Sequence, residues 1–142
     1  GVPGIRLGVL ASGDVAMIEY LKKDVSIWNI NSFGEFFMQI LEKYSKDYTA
    51  SLESIKKSRT LFVQALSKVP YLRVIPSQAN YIMCEVLNGF TSRDLAEKLL
   101  QKDILIKDLS TKVMNGKQYI RLAVRNELDN QKLVEALHEY CN

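Results

Sequence analysis

The apolar positions of this chain keep a helical spacing through most of its first half and then turn, beyond Pro70, to runs rich in strand formers. Residues Arg6 to Ala11 are apolar around one arginine and predict a short strand. Ser12-Gly13-Asp14 supplies a turn and a cap for a short helix with apolar positions Val15, Ile18 and Leu21. Asp24 to Asn31 has no period and predicts a loop holding Trp28. Ser32-Phe-Gly-Glu35 has the spacing of a capping box, in which serine and glutamate each satisfy free backbone amides at a helix start. Phe36, Phe37, Ile40, Leu41 and Tyr44 follow at helical spacing, and Leu52, Ile55, Phe62 and Leu66 continue the stripe until Pro70 stops it. Unbroken, that segment would extend roughly 55 Å, too long for one compact small domain and suited to a helix bridging two. The polar stretch Ser45 to Ser51 is where it is expected to bend or break. Past Pro70, Leu72–Ile75, Ala79–Val86, Ile104–Ile106 and Tyr119–Val124 predict strands. Thr91-Ser-Arg-Asp94 predicts a cap for a helix buried through Leu95, Ala96, Leu99 and Leu100. Asn126 caps a last helix with Leu133, Val134 and Leu137, whose acidic first turn at Glu127 and Asp129 suits the helix dipole. Helices packed on a small sheet follow.

Composition changes this picture little. At 142 residues, 47% hydrophobic and 25% charged, the chain has the make-up of a globular protein, and length alone suggests one domain. The net charge of +3 comes from dispersed lysines, with only doublets such as Lys22-Lys23 and Lys56-Lys57. A nucleic-acid binder would gather basic residues on one stripe and interleave aromatics, so no nucleic-acid partner is expected. Cys84 and Cys141 have no metal-like spacing and His138 is the single histidine, so no metal site is expected. Cys84 lies in an apolar run and predicts a small core residue; His138 predicts an exposed one. No apolar run approaches the roughly 20 residues that cross a bilayer, and nothing resembles a signal peptide, which together suggest a cytoplasmic protein without a membrane partner. No nucleophile is paired with a base, and no Gly-rich phosphate loop opens a helix.

Candidate chemistry gathers at arginines. Gly1-Val-Pro-Gly-Ile-Arg-Leu-Gly8 places Arg6 among glycines that permit close backbone approach, as an exposed strand arginine or as a grip on an anion. The segment resembles the run after the cofactor lysine in pyridoxal-phosphate (PLP) aminotransferases of fold type I, class I/II, through Gly1, Pro3, Gly4, Arg6 and Gly8. Trp28-Asn-Ile-Asn31, Pro76-Ser-Gln-Ala-Asn-Tyr81, and Ile104-Leu-Ile-Lys-Asp108 with Tyr119-Ile-Arg-Leu-Ala-Val-Arg125 resemble the same family in the same order. Within it they are most similar to histidinol-phosphate aminotransferases and threonine-phosphate decarboxylases. Ile27, where the family usually has proline, is a departure.

The resemblance implies an α/β fold. Residues 1–31 would be a remnant of the large PLP-binding domain, 32–69 an interdomain helical segment, and 70–142 a small domain with a mixed β-sheet and helices packed on it. It implies PLP as cofactor, an amino acid and a 2-oxo acid as substrates, a homodimer in the parent enzyme, and a Schiff-base lysine upstream of Gly1, without which the chain alone would be inactive. It assigns Arg6 to the cofactor phosphate through charge-assisted hydrogen bonds. Arg121 sits in a strand where an arginine is either paired internally or held for an anion; the resemblance assigns it to the substrate α-carboxylate as a bidentate fork. Lys107 stands where histidinol-phosphate aminotransferases have an arginine for the substrate phosphate. Lysine keeps the charge and loses the fork, leaving an anionic side chain, a different substrate, or an ion pair with Asp108. Arg125, at the strand end, reads as a surface or structural charge, and Asn80 as a residue closing the turn after Pro76. Transamination is the leading activity, with decarboxylation of a phosphorylated amino acid and a non-catalytic interaction module as alternatives; the sequence encoded just before Gly1 would separate the module from the enzymes.

Overall fold

The protein is described by a computed structural model covering residues 3–113 and 115–140, so Gly1 and Cys141 lie outside the described residues. The chain divides into two compact units, Gly1–Ala50 and Ser51–Asn142.

In the first unit a 3-10 turn at Pro3–Ile5 precedes helices α1 (Val15–Lys22) and α2 (Ser32–Leu41). Asp14 caps α1 as its position predicts, accepting from the Met17 amide at 3.0 Å. The expected strand at Arg6–Ala11 does not form. Arg6 instead takes the left-handed backbone, φ 61°, and Val9 and Leu10 lie exposed. A strand needs a neighbour to take its N–H and C=O groups, and no described residue pairs with this segment. The cap of α2 is Asn31 rather than Ser32: Asn31 is extended (ψ 159°), its side chain accepts from the Gly34 amide at 2.9 Å, and its carbonyl takes the first helical bond from Glu35. Asn31 is held outside the helix by a second bond, Nδ2 to the Ile5 carbonyl at 2.8 Å, which puts Ser32 inside it. A Cβ on Gly34 would stand 2.9 Å from Leu7 Cδ2, so this glycine is where the segment after Arg6 closes on α2.

The long helical stretch breaks at residues 42–44, ahead of the expected Ser45–Ser51, and α3 runs from Ser45 to Leu66. The polar residues expected to break it form its first turns: Asp47 suits the positive end of the dipole, and Thr49 Oγ1 donates back to the Ser45 carbonyl.

The second unit is a four-stranded sheet backed by helices. Its strands are β1 (Leu72–Ile75), β2 (Tyr81–Val86), β3 (Lys107–Asp108) and β4 (Gln118–Ala123), in the order β1-β2-β4-β3, with α4 (Ser92–Leu100) and α5 (Glu127–Glu139) between and after them. All three pairings are antiparallel, where a mixed sheet was expected. The crossover through α4 makes β2 and β3 run the same way, but β4 sits between them, antiparallel to each. Strand β3 lies at 107–108 instead of 104–106 because the end of α4 takes the first amide of the expected strand. Asp103 adopts φ 59° and the Ile104 amide returns to the Leu99 carbonyl at 3.0 Å.

Ile82, Cys84, Val86, Ile120 and Leu122 face the helices and bury against Phe62 and Leu66 of α3, Leu95 and Leu99 of α4, and Leu133 and Leu137 of α5. Tyr71, fully buried, donates its hydroxyl to the Leu137 carbonyl at 2.7 Å and packs with Phe90 and Tyr140. The alternate strand residues, including Tyr81, Met83, Arg121 and Ala123, emerge on the opposite face, away from α3, α4 and α5. No described helix is long and apolar enough to cross a membrane.

Candidate anion-binding site

On that open face Arg121 pairs across strands with Met83 on one side and Lys107 on the other. Directly opposed residues of an antiparallel pair project to the same side with Cβ atoms about 5 Å apart, and like charges there repel. Arg121 and Lys107 are both exposed, and among the described residues neither has an ion-pair partner. The Arg121 guanidinium instead lies 5.0 Å from the centroid of the Tyr81 ring.

The ion pair between Lys107 and Asp108 does not form. Adjacent strand residues point to opposite faces, and Asp108 turns to the start of α4, accepting from Ser92 Oγ at 2.7 Å, the Ser110 amide at 2.9 Å and Ser110 Oγ at 2.7 Å. Burial pushes the Asp108 carboxyl upward, but the hydrogen bonds from Ser92 and Ser110 and the nearby Arg93 charge outweigh it, leaving the group below the ordinary aspartate range. The neighbouring row across the sheet holds Arg73, Glu85 and Tyr119. Glu85 accepts from Arg73 Nε at 2.7 Å and lies 3.2 Å from Lys117 Nζ, so this carboxylate of the open face is already engaged by two cations.

The turn that leads into β2 is braced. Arg59 of α3 donates through Nη1 to the Gln78 and Ala79 carbonyls (2.8 and 2.9 Å) and through Nη2 to Gln78 Oε1 at 3.1 Å. The side chain that closes the turn is Ser77, with Oγ donating to the Tyr81 carbonyl at 2.6 Å and accepting from the Ala79 amide. Asn80 contributes its backbone carbonyl, which accepts from Val124 at 2.9 Å, so the turn-closing role expected of its side chain falls to Ser77.

In the first unit Arg6 is exposed and without an ion-pair partner among the described residues. The Asn31 bond to the Ile5 carbonyl fixes the peptide before it. Added Cβ atoms at Gly4 and Gly8 would meet nothing within 4 Å, so packing among the described residues does not require glycine at either place. Arg125 has the structural role expected, bonding Asp129 at 2.7 Å while its backbone N–H and C=O are both taken by the Asn130 side chain. Cys84 is buried in the core and His138 is exposed, as expected.

Three contributors escaped sequence reasoning. Asn31 and Tyr81 lie within motifs that do not say which side chain does what, and nothing along the sequence ties Arg59 to a turn 19 residues away.

One face of the antiparallel sheet thus carries a cross-strand pair of cations with no acidic partner among the described residues, and three helices back the other face. The sequence profile described as "Aminotransferase class I and II" matches residues 1–138, and the chain belongs to that family, whose enzymes depend on PLP. The chain is 32% identical over 141 residues to the CMP-5'-(3-aminopropyl)phosphonate synthase of Streptomyces rubellomurinus, covering 98% of this chain and 22% of that protein. It is 29% identical over 138 residues to the threonine-phosphate decarboxylase of Salmonella typhimurium, covering 96% and 37%. The crystal structure of the histidinol-phosphate aminotransferase from Clostridium acetobutylicum superposes with a TM-score of 0.82 at 28% identity, covering 98% of this chain and 42% of that one. The chain thus spans between about a fifth and two fifths of the length of these proteins.

Proposed function

We propose that this chain is the substrate-gripping part of a PLP-dependent aminotransferase acting on an amino acid or amine that carries a second anionic group, a phosphate or phosphonate. The observation that carries the reading is the cross-strand pair of Arg121 and Lys107, two cations without an acidic partner among the described residues. Arg121 holds the substrate carboxylate in a bidentate fork, which orients the α-carbon, and Lys107 holds the second anion as a point charge. The names of the three relatives, each containing phosphate or phosphonate, support the second anion.

Arg6 suits the phosphate of PLP: an exposed guanidinium with no ion-pair partner among the described residues, on backbone tied down through Ile5, is the donor chemistry a phosphate monoester needs. PLP, when bound, supplies an electron sink for the bond broken at the substrate α-carbon. Residues 1–31 belong in this reading to the large cofactor domain, 32–69 to the connection and 70–142 to the small domain. The enzyme works as a cytoplasmic homodimer with a 2-oxo acid as amino acceptor. The Schiff-base lysine is expected ahead of Gly1, so the 142-residue chain alone does not turn over.

Decarboxylation is the second reading, favoured by the similarity to a threonine-phosphate decarboxylase and by a decarboxylase structure from Sulfurospirillum multivorans with TM-score 0.82 at 26% identity. Release of carbon dioxide by the full-length enzyme separates the two. Arg121→Ala is expected to lower catalytic efficiency for every amino-acid substrate by roughly thirty-fold to several-thousand-fold, the scale for removing one partner of a desolvated charge pair. Lys107→Ala is expected to lower efficiency only for acidic or phosphorylated substrates. Kinetics with a neutral, an acidic and a phosphorylated amino acid check both; a uniform small loss for Arg121→Ala removes the carboxylate assignment.

A further inference from the structure

We propose that Tyr81 is the positioning residue for Arg121, and that Arg59 sets Tyr81 by clamping the turn before it. The proposal rests on the reading of Arg121 as the carboxylate grip and adds what holds that grip ready.

A long arginine side chain on an open sheet face loses rotamer freedom when it binds, and that loss subtracts from affinity unless something restricts it beforehand. A carboxylate neighbour would restrict it but would also occupy the donors and cancel the charge that an incoming anion needs. An aromatic ring face does neither. Its quadrupole attracts the guanidinium, while the N–H groups along the guanidinium edge stay free for a bidentate partner. The Tyr81 ring is placed to do this, 5.0 Å from the Arg121 guanidinium, and no other described side chain bonds or pairs with Arg121.

Such a platform is useful only if it is itself fixed, and the backbone of Tyr81 is fixed from several sides. The ladder pairs Tyr81 with Ala123, two residues along β4 from Arg121, which sets the diagonal that brings ring and guanidinium together. Ser77 bonds the Tyr81 carbonyl, Val124 bonds that of Asn80, and Arg59 reaches from α3 to bond those of Gln78 and Ala79. Tyr81 is nevertheless 40% exposed, so it is not there to fill the core.

The test joins a spectroscopic and a kinetic arm. In the 142-residue chain, NMR of the Arg121 side chain should show an upfield ring-current shift that survives in Tyr81→Phe, disappears in Tyr81→Leu and weakens in Arg59→Gln. In the full-length enzyme, Tyr81→Leu should raise the KM for carboxylate-bearing substrates roughly five- to thirty-fold with little change in kcat, and Tyr81→Phe should restore it, the scale of a partly desolvated cation–π contact. On an Arg121→Ala background the Tyr81→Leu penalty should vanish, which a general structural role would not produce. Absence of the ring-current shift in the wild-type chain overturns the proposal without any variant. An undiminished Tyr81→Leu penalty on the Arg121→Ala background does so too, as does a silent Tyr81→Leu where Arg121→Ala alone is costly. If Arg121→Ala is itself silent, the carboxylate reading fails, while the spectrum still decides whether Tyr81 positions Arg121.

Discussion

Glu85 shows how a single carboxylate sets the charge of the open face. The Arg73 hydrogen bond holds its carboxyl below the usual range, burial works against this, and Lys117 adds to the lowering. Asp108 is depressed as well, its hydrogen bonds overcoming its burial, and so is Asp129, chiefly through Arg125. A group whose folded pKa lies below its unfolded value binds protons less readily in the folded state. Its stabilisation is therefore present above the unfolded carboxyl pKa of about 4 and is lost as pH falls through the folded value. The urea midpoint of the second unit, followed by near-UV circular dichroism of the Tyr71–Phe90–Tyr140 cluster, should stay level down to about pH 5 and fall below about pH 4. A midpoint unchanged at low pH would contradict these pairings. Burial pushes the Cys84 thiol up to about 12, so at neutral or mildly basic pH it is protonated and enclosed. Iodoacetamide at about pH 8 should label Cys84 only after denaturation, as read by peptide mass mapping; labelling of the folded chain would mean the core opens.

At the level of elements, helix starts follow short-range rules and the exception is instructive. Thr91 and Asn126 cap α4 and α5 where the sequence places them, since a cap needs only a side-chain oxygen and an amide three residues on. At α2 two good caps stand side by side, and the contact of Asn31 with Ile5, 26 residues away, selects between them. Asn31→Ala should cost about 1 kcal/mol and speed hydrogen exchange at the Gly34 amide, while Ser32→Ala should fall within about half of that. Equal effects of the two would return the cap to Ser32. Strand β3 follows a similar logic: the apolar run 104–106 has strand character, but its first amide closes a helix and pairing waits for Lys107.

Over the whole molecule the two units differ in how they treat apolar surface. The second encloses a continuous core, whereas in the first Val9, Ile27, Trp28, Phe33 and Phe36 are all at least 60% exposed. Among the apolar positions of residues 1–31, Val9, Leu10 and Trp28 are exposed, while Ile18 is half-buried. Apolar surface on this scale seeks a partner. The isolated chain should self-associate through the first unit, with sedimentation coefficients rising with concentration. A clean monomer with strong exchange protection across residues 1–31 would show that unit to be self-sufficient.

What could be read from the chain alone is what depends on neighbours a few residues apart. The caps at Asp14, Thr91 and Asn126, the limits of β1, the buried stripe of α5 and the core placement of Cys84 are of this kind, as is the stripe of α4 apart from Leu100, which is exposed, and the ordered motifs carried the family. Folding had to decide everything that depends on pairing across long separations. Strand order placed β4 between β2 and β3, and only that register sets Lys107 opposite Arg121 and sends Asp108 to Ser92 instead. It also brought Tyr81 under Arg121 and left Arg6 on a left-handed backbone rather than in a strand. The reason is that a capping oxygen finds its amide within one helical turn, whereas the partner of a strand residue, and hence the face and charge it meets, is chosen by chain segments dozens of residues away.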